Sequence, residues 1–244
     1  MKFSEQIHFL LRAWRYRLRS EKFGVSFLLS RNLQGKTAID IGANRGIFSY
    51  WMCRSVGDRG HVIAFEPQPE LIVQLNDLRQ CFKLRSLEIA GVGLSSQENV
   101  MTLRRPKSHW GGASLQTRAD DTGIYDIMQV EVTTLDRYCA NHPRRPFSFI
   151  KCDVEGHEHE VFRGARSILS EDRPDLLFEC FHAADPQCDI FSFLKSLDYE
   201  GYCFFRNGFA PISEYCNLRS RLHNKALYDF VFVPKERRLL CKAT

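Results

Sequence analysis

At 244 residues with 44% apolar side chains, the chain has enough material for one large α/β domain, which excludes a disordered chain or a disulfide-stapled miniature scaffold. Its net charge of +5 is concentrated at the start, where residues 1–22 hold Lys2, Arg12, Arg15, Arg17, Arg19 and Lys22 against Glu5 and Glu21; the body is nearly neutral, which argues against a nucleic-acid partner bound by counterion release. No run approaches the ~18 apolar residues of a membrane span, and nine scattered cysteines without framework spacing read as reduced thiols of a cytoplasmic protein.

In chain order, Phe3, Ile7, Leu10, Leu11, Trp14 and Leu18 recur at steps of three and four, which predicts an amphipathic helix followed by a linker up to residue 36. Its expected role is to pack on the domain edge or cover a cleft; peripheral membrane contact through residues 1–22 is the other reading. From residue 37, short apolar strands alternate with helical segments: strand 37–41, a helix from about 46, strand 61–66, helix 70–82 and strand 87–92. The alternation then breaks. Segments 99–104 and 129–135 predict an inserted β-hairpin whose long loop holds His109-Trp110-Gly111-Gly112-Ala113-Ser114. It resumes with strand 147–152, helix 157–169, strand 175–180, helix 189–197 and strands near 201–205 and 227–233. No helix is evident between the last two, so the last is expected to run antiparallel in a seven-stranded, mostly parallel sheet. The expected domain covers 37–234, with a basic tail at 235–244.

In such a sheet, ligands bind outside the carboxyl ends of the strands. The first turn there is Asp40-Ile41-Gly42-Ala43-Asn44-Arg45-Gly46, followed by Phe48. Gly42 allows the tight turn, and Gly46 is expected to let the helix start close to a ligand. Asn44 replaces the central glycine of a pyrophosphate-binding turn, which favours a cofactor without phosphates. Asp40 is expected to bond the turn backbone or a cofactor ammonium. Glu66 closes the second strand twenty residues after Gly46, where a carboxylate can accept both hydroxyls of a ribose, and Pro67 fixes the exit.

A third cluster, Ile150-Lys151-Cys152-Asp153-Val154-Glu155-Gly156-His157-Glu158, also leaves a strand end. Asp153 and His157 are candidate general bases for a hydroxyl acceptor. Glu155 would position that acceptor or share a divalent cation with Asp153. Glu158 and Glu160 read as a solvated helix face. Glu179 on the next strand, with His109 and Trp110 from the hairpin loop, are candidate acceptor contacts, a carbohydrate stacking on the indole. No paired zinc motif is present.

Asp40 to Ser49, Ala64 to Pro69, Thr134-Leu135-Asp136 and Phe149 to Glu158 resemble, in order and spacing, the FkbM methyltransferase family. Gly111 to Ser114, Phe162 to Ala165 and the closing Phe230 to Pro234 also look like its pattern. The resemblance runs from about residue 37 to 234. It implies a Rossmann-like class I methyltransferase fold and S-adenosyl-L-methionine as cofactor. It also implies O-methylation of a small-molecule, sugar or glycan acceptor, with the Gly42 turn, Glu66 and Pro67 as cofactor residues. Two other readings are an NAD(P)-dependent oxidoreductase and a non-catalytic cofactor-binding scaffold. The first lacks G-x-G-x-x-G and any tyrosine followed four residues later by lysine.

Overall fold

Every residue of Thr37–Ile41 is buried, which only a strand covered by helices on both faces allows. It is the central strand of the protein. The computed structural model describes residues 2–107, 110–116, 124–180, 189–205, 208–221 and 229–239. Helices α1 (Phe3–Arg15) and α2 (Lys22–Ser30) precede β1 (Thr37–Ile41), α3 (Ile47–Val56), β2 (His61–Phe65), α4 (Pro69–Cys81) and β3 (Leu87–Ala90). A small second sheet follows, made of β4 (Gly93–Leu94), β5 (Asn99–Pro106) and β6 (Tyr125–Thr133). The chain returns through α5 (Leu135–Tyr138), β7 (Phe147–Cys152), α6 (Glu158–Arg163), α7 (Arg166–Glu171) and β8 (Asp175–Glu179). It closes with α8 (Asp189–Ser196), β9 (Tyr199–Phe205), β10 (Gly208–Pro211), α9 (Tyr215–Arg221) and β11 (Asp229–Pro234).

The main sheet has eight strands in the order β10-β9-β11-β8-β7-β1-β2-β3. The strand order reverses at β1, where β2 lies on one side and β7 on the other. As expected, β11 runs antiparallel to both neighbours. The eighth strand was not anticipated: β10 folds back on β9 as an edge hairpin. Between β9 and β11 the chain also forms α9, so the absence of a helix expected there is corrected. Two apolar clusters cover the two faces, one around Phe162, Phe178, Phe191 and Phe230, the other around Phe27, Trp51 and Phe149.

Local chemistry sets several ends. Strand β6 stops at Thr133 rather than 135, because the Thr134 hydroxyl accepts a bond from Arg137 N at 3.0 Å and starts α5. The single helix expected over 157–169 is two. A Cβ on Gly164 would meet Ser95 O at 2.1 Å, and Asp136 caps the second piece by accepting from Ser167 N and Ile168 N at 2.8 and 3.0 Å. The inserted hairpin forms as β5 against β6. Buried Arg105 ties it to the domain, reaching Glu70 of α4 at 3.2 Å and Asp126 at 3.1 Å. On β3, Glu88 accepts from Tyr138 and lies against His61 at 2.8 Å and His142 at 3.4 Å, which brings three possible metal ligands together.

The first helix turns the unexpected way. Phe9, Ala13 and Tyr16 dock on the domain, with the Trp51 indole donating to Ala13 O at 3.2 Å. Of the predicted stripe, Phe3, Ile7, Leu11, Trp14 and Leu18 are exposed instead and Leu10 is half-buried, and Leu18 lies in a π-turn joining α1 to α2. Among the described residues, no helix is long and apolar enough to cross a membrane.

Candidate active site

The turn after β1 is spent mostly on the fold itself. Gly42 (φ 73°), Asn44 (φ 50°) and Gly46 (φ 78°) are all left-handed. Gly42 and Ala43 donate to Phe65 O at 3.1 and 3.0 Å, Gly46 donates to Ala43 O at 2.8 Å, and Asn44 N donates to Glu66 Oε2 at 2.9 Å. A Cβ on Gly42 would lie 2.0 Å from Asp153 O, so the β1 and β7 loops touch there. Gly46 has a different reason from the one expected. Its missing Cβ faces Leu75 and Leu78 at under 3 Å, so it allows α4 to pack.

Glu66 is 3% exposed. Its carboxylate accepts Asn44 N on one oxygen and Gln68 N, at 3.0 Å, on the other. Burial raises its pKa against those donors. The carboxylate borders a narrow slot lined also by Phe65, Pro67, Val92, Leu94, Leu103 and Leu115. Gln68 Oε1 is buried on the same slot without a hydrogen-bond partner in the described structure.

The slot opens into a cleft of ≈510 Å³, and Gly42, Asn44, Gly111, Asp153 and Glu155 line both. Ala43 and Phe48 line the cleft, and Pro67 the slot. Asp40 lies beneath them, wholly buried, and does not reach the turn backbone as expected. Its Oδ2 accepts from Ser49 at 2.5 Å, and Oδ1 faces Lys151 Nζ at 3.7 Å. Burial raises its pKa. Lys151 is the side chain that sequence reasoning passed over. Burial works against its charge, yet Asp153 at 3.2 Å and Asp40 hold its pKa above the ordinary lysine value. Its ammonium also lies 5.3 Å from the Phe48 ring centre and donates to Gly42 O at 3.3 Å. The available signal was a lysine inside strand 147–152, whose other residues are apolar save Ser148.

The loop after β7 divides the candidates. Asp153, its side chain 36% exposed, and Glu155 face the cleft. His157 does not: it is 3% exposed, lines neither cavity, and both ring nitrogens are engaged. Gln116 Nε2 lies 3.1 Å from Nδ1, and Nε2 lies 2.9 Å from Ser95 Oγ. Burial lowers its pKa, so it is a neutral bridge between loops and is withdrawn as a general base. Glu158 corrects the expectation of a solvated face. It is 3% exposed, and its Oε1 accepts Val154 N and Gly156 N at 2.9 and 3.1 Å, fixing the left-handed turn at Glu155. Burial pushes its pKa up to about 7.

Glu179 is half-buried at the end of β8, paired across the strands with Asp229, and lines neither cavity. Burial first, then Asp153, Asp229, Glu155 and Glu21, push it up to about 8. Burial likewise raises Glu21 to about 7 and Asp229 to about 6. Of these acids only Glu21, Asp153 and Glu155 line the cleft, where they face Arg12, Arg15, Arg45 and Lys151, so both signs of charge meet there. No third metal-ligating group joins Asp153 and Glu155 among the described residues, so the structure does not build the divalent-cation site considered for them. Trp110 sits in a short 3₁₀ turn whose Gly111 approaches Asn44, while His109 lies outside the described residues. Arg12, Arg15 and Glu21 complete the cleft from the N-terminal helices.

The sequence model of the "Methyltransferase FkbM domain" matches residues 40–202. No curated protein matches the chain. Among solved structures, methyltransferase FkbM from Methylobacillus flagellatus superposes with a TM-score of 0.55 at 16% identity over 84% of this chain. The chain spans only 45% of that protein's length. A candidate methyltransferase from Streptococcus mutans in complex with SAH gives 0.51 at 11% identity over 88% of this chain and 96% of its own. A cofactor-bound protein from MTB gives 0.51 at 10%, covering 96% and 91%. At these identities the superpositions establish the Rossmann-like fold.

Proposed function

Because the chain belongs to the FkbM methyltransferase family, we propose that it transfers the methyl group of S-adenosylmethionine to a hydroxyl oxygen of a sugar, glycan or natural-product acceptor. The observation that carries this reading is the position of Asp153. Its carboxylate stands where the Glu66 slot opens into the wider cleft, so it can face an acceptor hydroxyl while the slot holds a nucleoside.

The residues fit that cofactor. The Glu66 carboxylate on the slot suits two ribose hydroxyls, and the orphaned Gln68 Oε1 suits a donor at the adenine end. The apolar slot walls suit the flat ring. The slot holds about 60 Å³, with Ala113 and Leu115 along one wall. When bound, the cofactor supplies an already activated methyl group, so the protein contributes position and a dry site.

The bound cofactor would supply the methyl carbon to the acceptor oxygen with its own sulfur as leaving group, and Asp153 would take the hydroxyl proton. Lys151 holds that carboxylate at 3.2 Å, and Glu155 borders the acceptor side. Calorimetry with S-adenosylmethionine, S-adenosylhomocysteine and NAD tests the reading, followed by transfer of labelled methyl to a glycan panel. Heat with both sulfur nucleosides and none with NAD is expected. Absence of heat with either sulfur nucleoside sinks it; label appearing on nitrogen rather than oxygen overturns the acceptor class.

A further inference from the structure

An α-helix advances roughly 100° per residue, so Phe9, Ala13 and Tyr16, which dock α1 on the domain, lie opposite Phe3, Ile7, Leu11 and Trp14. Together with Leu18 of the following turn, these five side chains keep between 42% and 77% of their surface exposed. Phe3, Ile7, Leu11 and Leu18 face away from the body and Trp14 closes the row, packed edge-on against Trp51 at 5.4 Å; no other row of this length stands on the described surface. A ridge facing outward marks an interaction surface. Arg15 flanks it on one side and Arg17 on the other, with Arg19 and Lys22 following. Arg17 stacks over both Trp14 and Trp51 at 4.9 and 5.0 Å, which holds this end of the ridge on the domain.

We propose that this face of α1 and its π-turn docks the protein on an anionic lipid bilayer. Charge decides between the two occupants an apolar ridge could take. A second copy of the chain would bring six bases and two acids of residues 1–22 against the same excess, whereas an anionic headgroup layer neutralises it. An outward apolar stripe on a helix with basic flanks is also the form that lies in a membrane interface, its apolar side a few ångströms below the headgroups.

The docking has a consequence for the cleft. Arg12 and Arg15, on the flank between ridge and body, line the cleft mouth together with Arg45. Docking sets that mouth at the headgroup plane, where its acceptor would be a hydroxyl carried on an anionic, lipid-borne molecule. This placement of the acceptor rests on the methyl-transfer reading; the docking does not, and its test uses no cofactor.

The test is co-sedimentation of the full chain with vesicles of pure phosphatidylcholine and of phosphatidylcholine mixed equally with phosphatidylglycerol. Partitioning at least about tenfold stronger onto the anionic vesicles, weakened by added salt, is expected. Leu11→Asp with Leu18→Asp, both at exposed positions, is expected to cut it by about tenfold or more with unchanged circular dichroism. Arg17→Glu with Arg19→Glu supplies the charge arm, with a similar loss expected. Equal binding to both vesicle types, no binding to either, or binding indifferent to both double variants overturns the proposal. So does a concentration-dependent dimer in sedimentation velocity that Leu11→Asp dissolves while vesicles leave it unchanged.

Discussion

The two acidic corners of the cleft are built by opposite means. At the β2 end, Glu66 is buried and its oxygens are held by backbone amides of Asn44 and Gln68. At the β7 end, Asp153 is partly open and held by the charge of Lys151. A carboxylate fixed by backbone keeps its shape whatever the protonation of its neighbours, which suits binding. One fixed by an ammonium keeps a free edge toward the cleft and can exchange a proton there, which suits chemistry. The contrast teaches that the roles proposed for the two acids follow from the kind of partner that holds each, not from residue type.

The sharpest way to break the comparison is Asp153→Asn, which is expected to lower kcat by about 10²-fold while calorimetry shows cofactor affinity unchanged. A parallel loss of affinity would merge the two corners. Glu66→Ala is expected to do the reverse, weakening S-adenosylhomocysteine binding by about tenfold or more through loss of a buried charged acceptor, measured by the same titration. If that affinity is untouched, the ribose assignment fails.

Glu158 tests how firmly the β7 corner depends on its buried scaffold. Its folded pKa lies near 7, above the usual glutamate range, so the fold favours its protonated form. The stability this gives is present at low pH and is lost as pH rises from the usual range through about 7. Glu158→Gln keeps the oxygen that accepts both amides and removes the charge. At pH 8 it is expected to be more stable than the parent by on the order of 1–2 kcal/mol, in denaturant unfolding, with the difference vanishing toward pH 5. A variant less stable at every pH would show that the charge itself holds the turn. The smallest effect belongs to His157→Gln: a stability loss of about 1 kcal/mol from weakened bridging to Ser95 and Gln116. Turnover is expected to stay within about tenfold of the parent, whereas a loss as deep as that of Asp153→Asn would restore the histidine to the chemistry.

What could be read in the sequence followed the distance over which each feature is determined. The Gly42 turn, Glu66 at the end of β2 and the hairpin insertion are written in neighbouring residues, and they formed where expected. Lys151 could not be read in the same way. Its meaning comes from register, since Asp40 on β1 pairs with Lys151 on β7 and puts two charges of opposite sign side by side in the core. His157 had the right chemistry for a base, but its partner Ser95 arrives from 62 positions away. The periodicity of α1 was visible, while the side of the helix that docks was not. That was settled by small Ala13 fitting against Trp51, a contact no apolar count anticipates.

The near contact between Gly42 and Asp153 O has a practical meaning for redesign. The loop that would meet the acceptor and the turn that would meet the cofactor share one space too small for a methyl group. Loops grafted after β7 to change the acceptor must therefore arrive with the same carbonyl position, or be exchanged together with the turn after β1 as a single cassette.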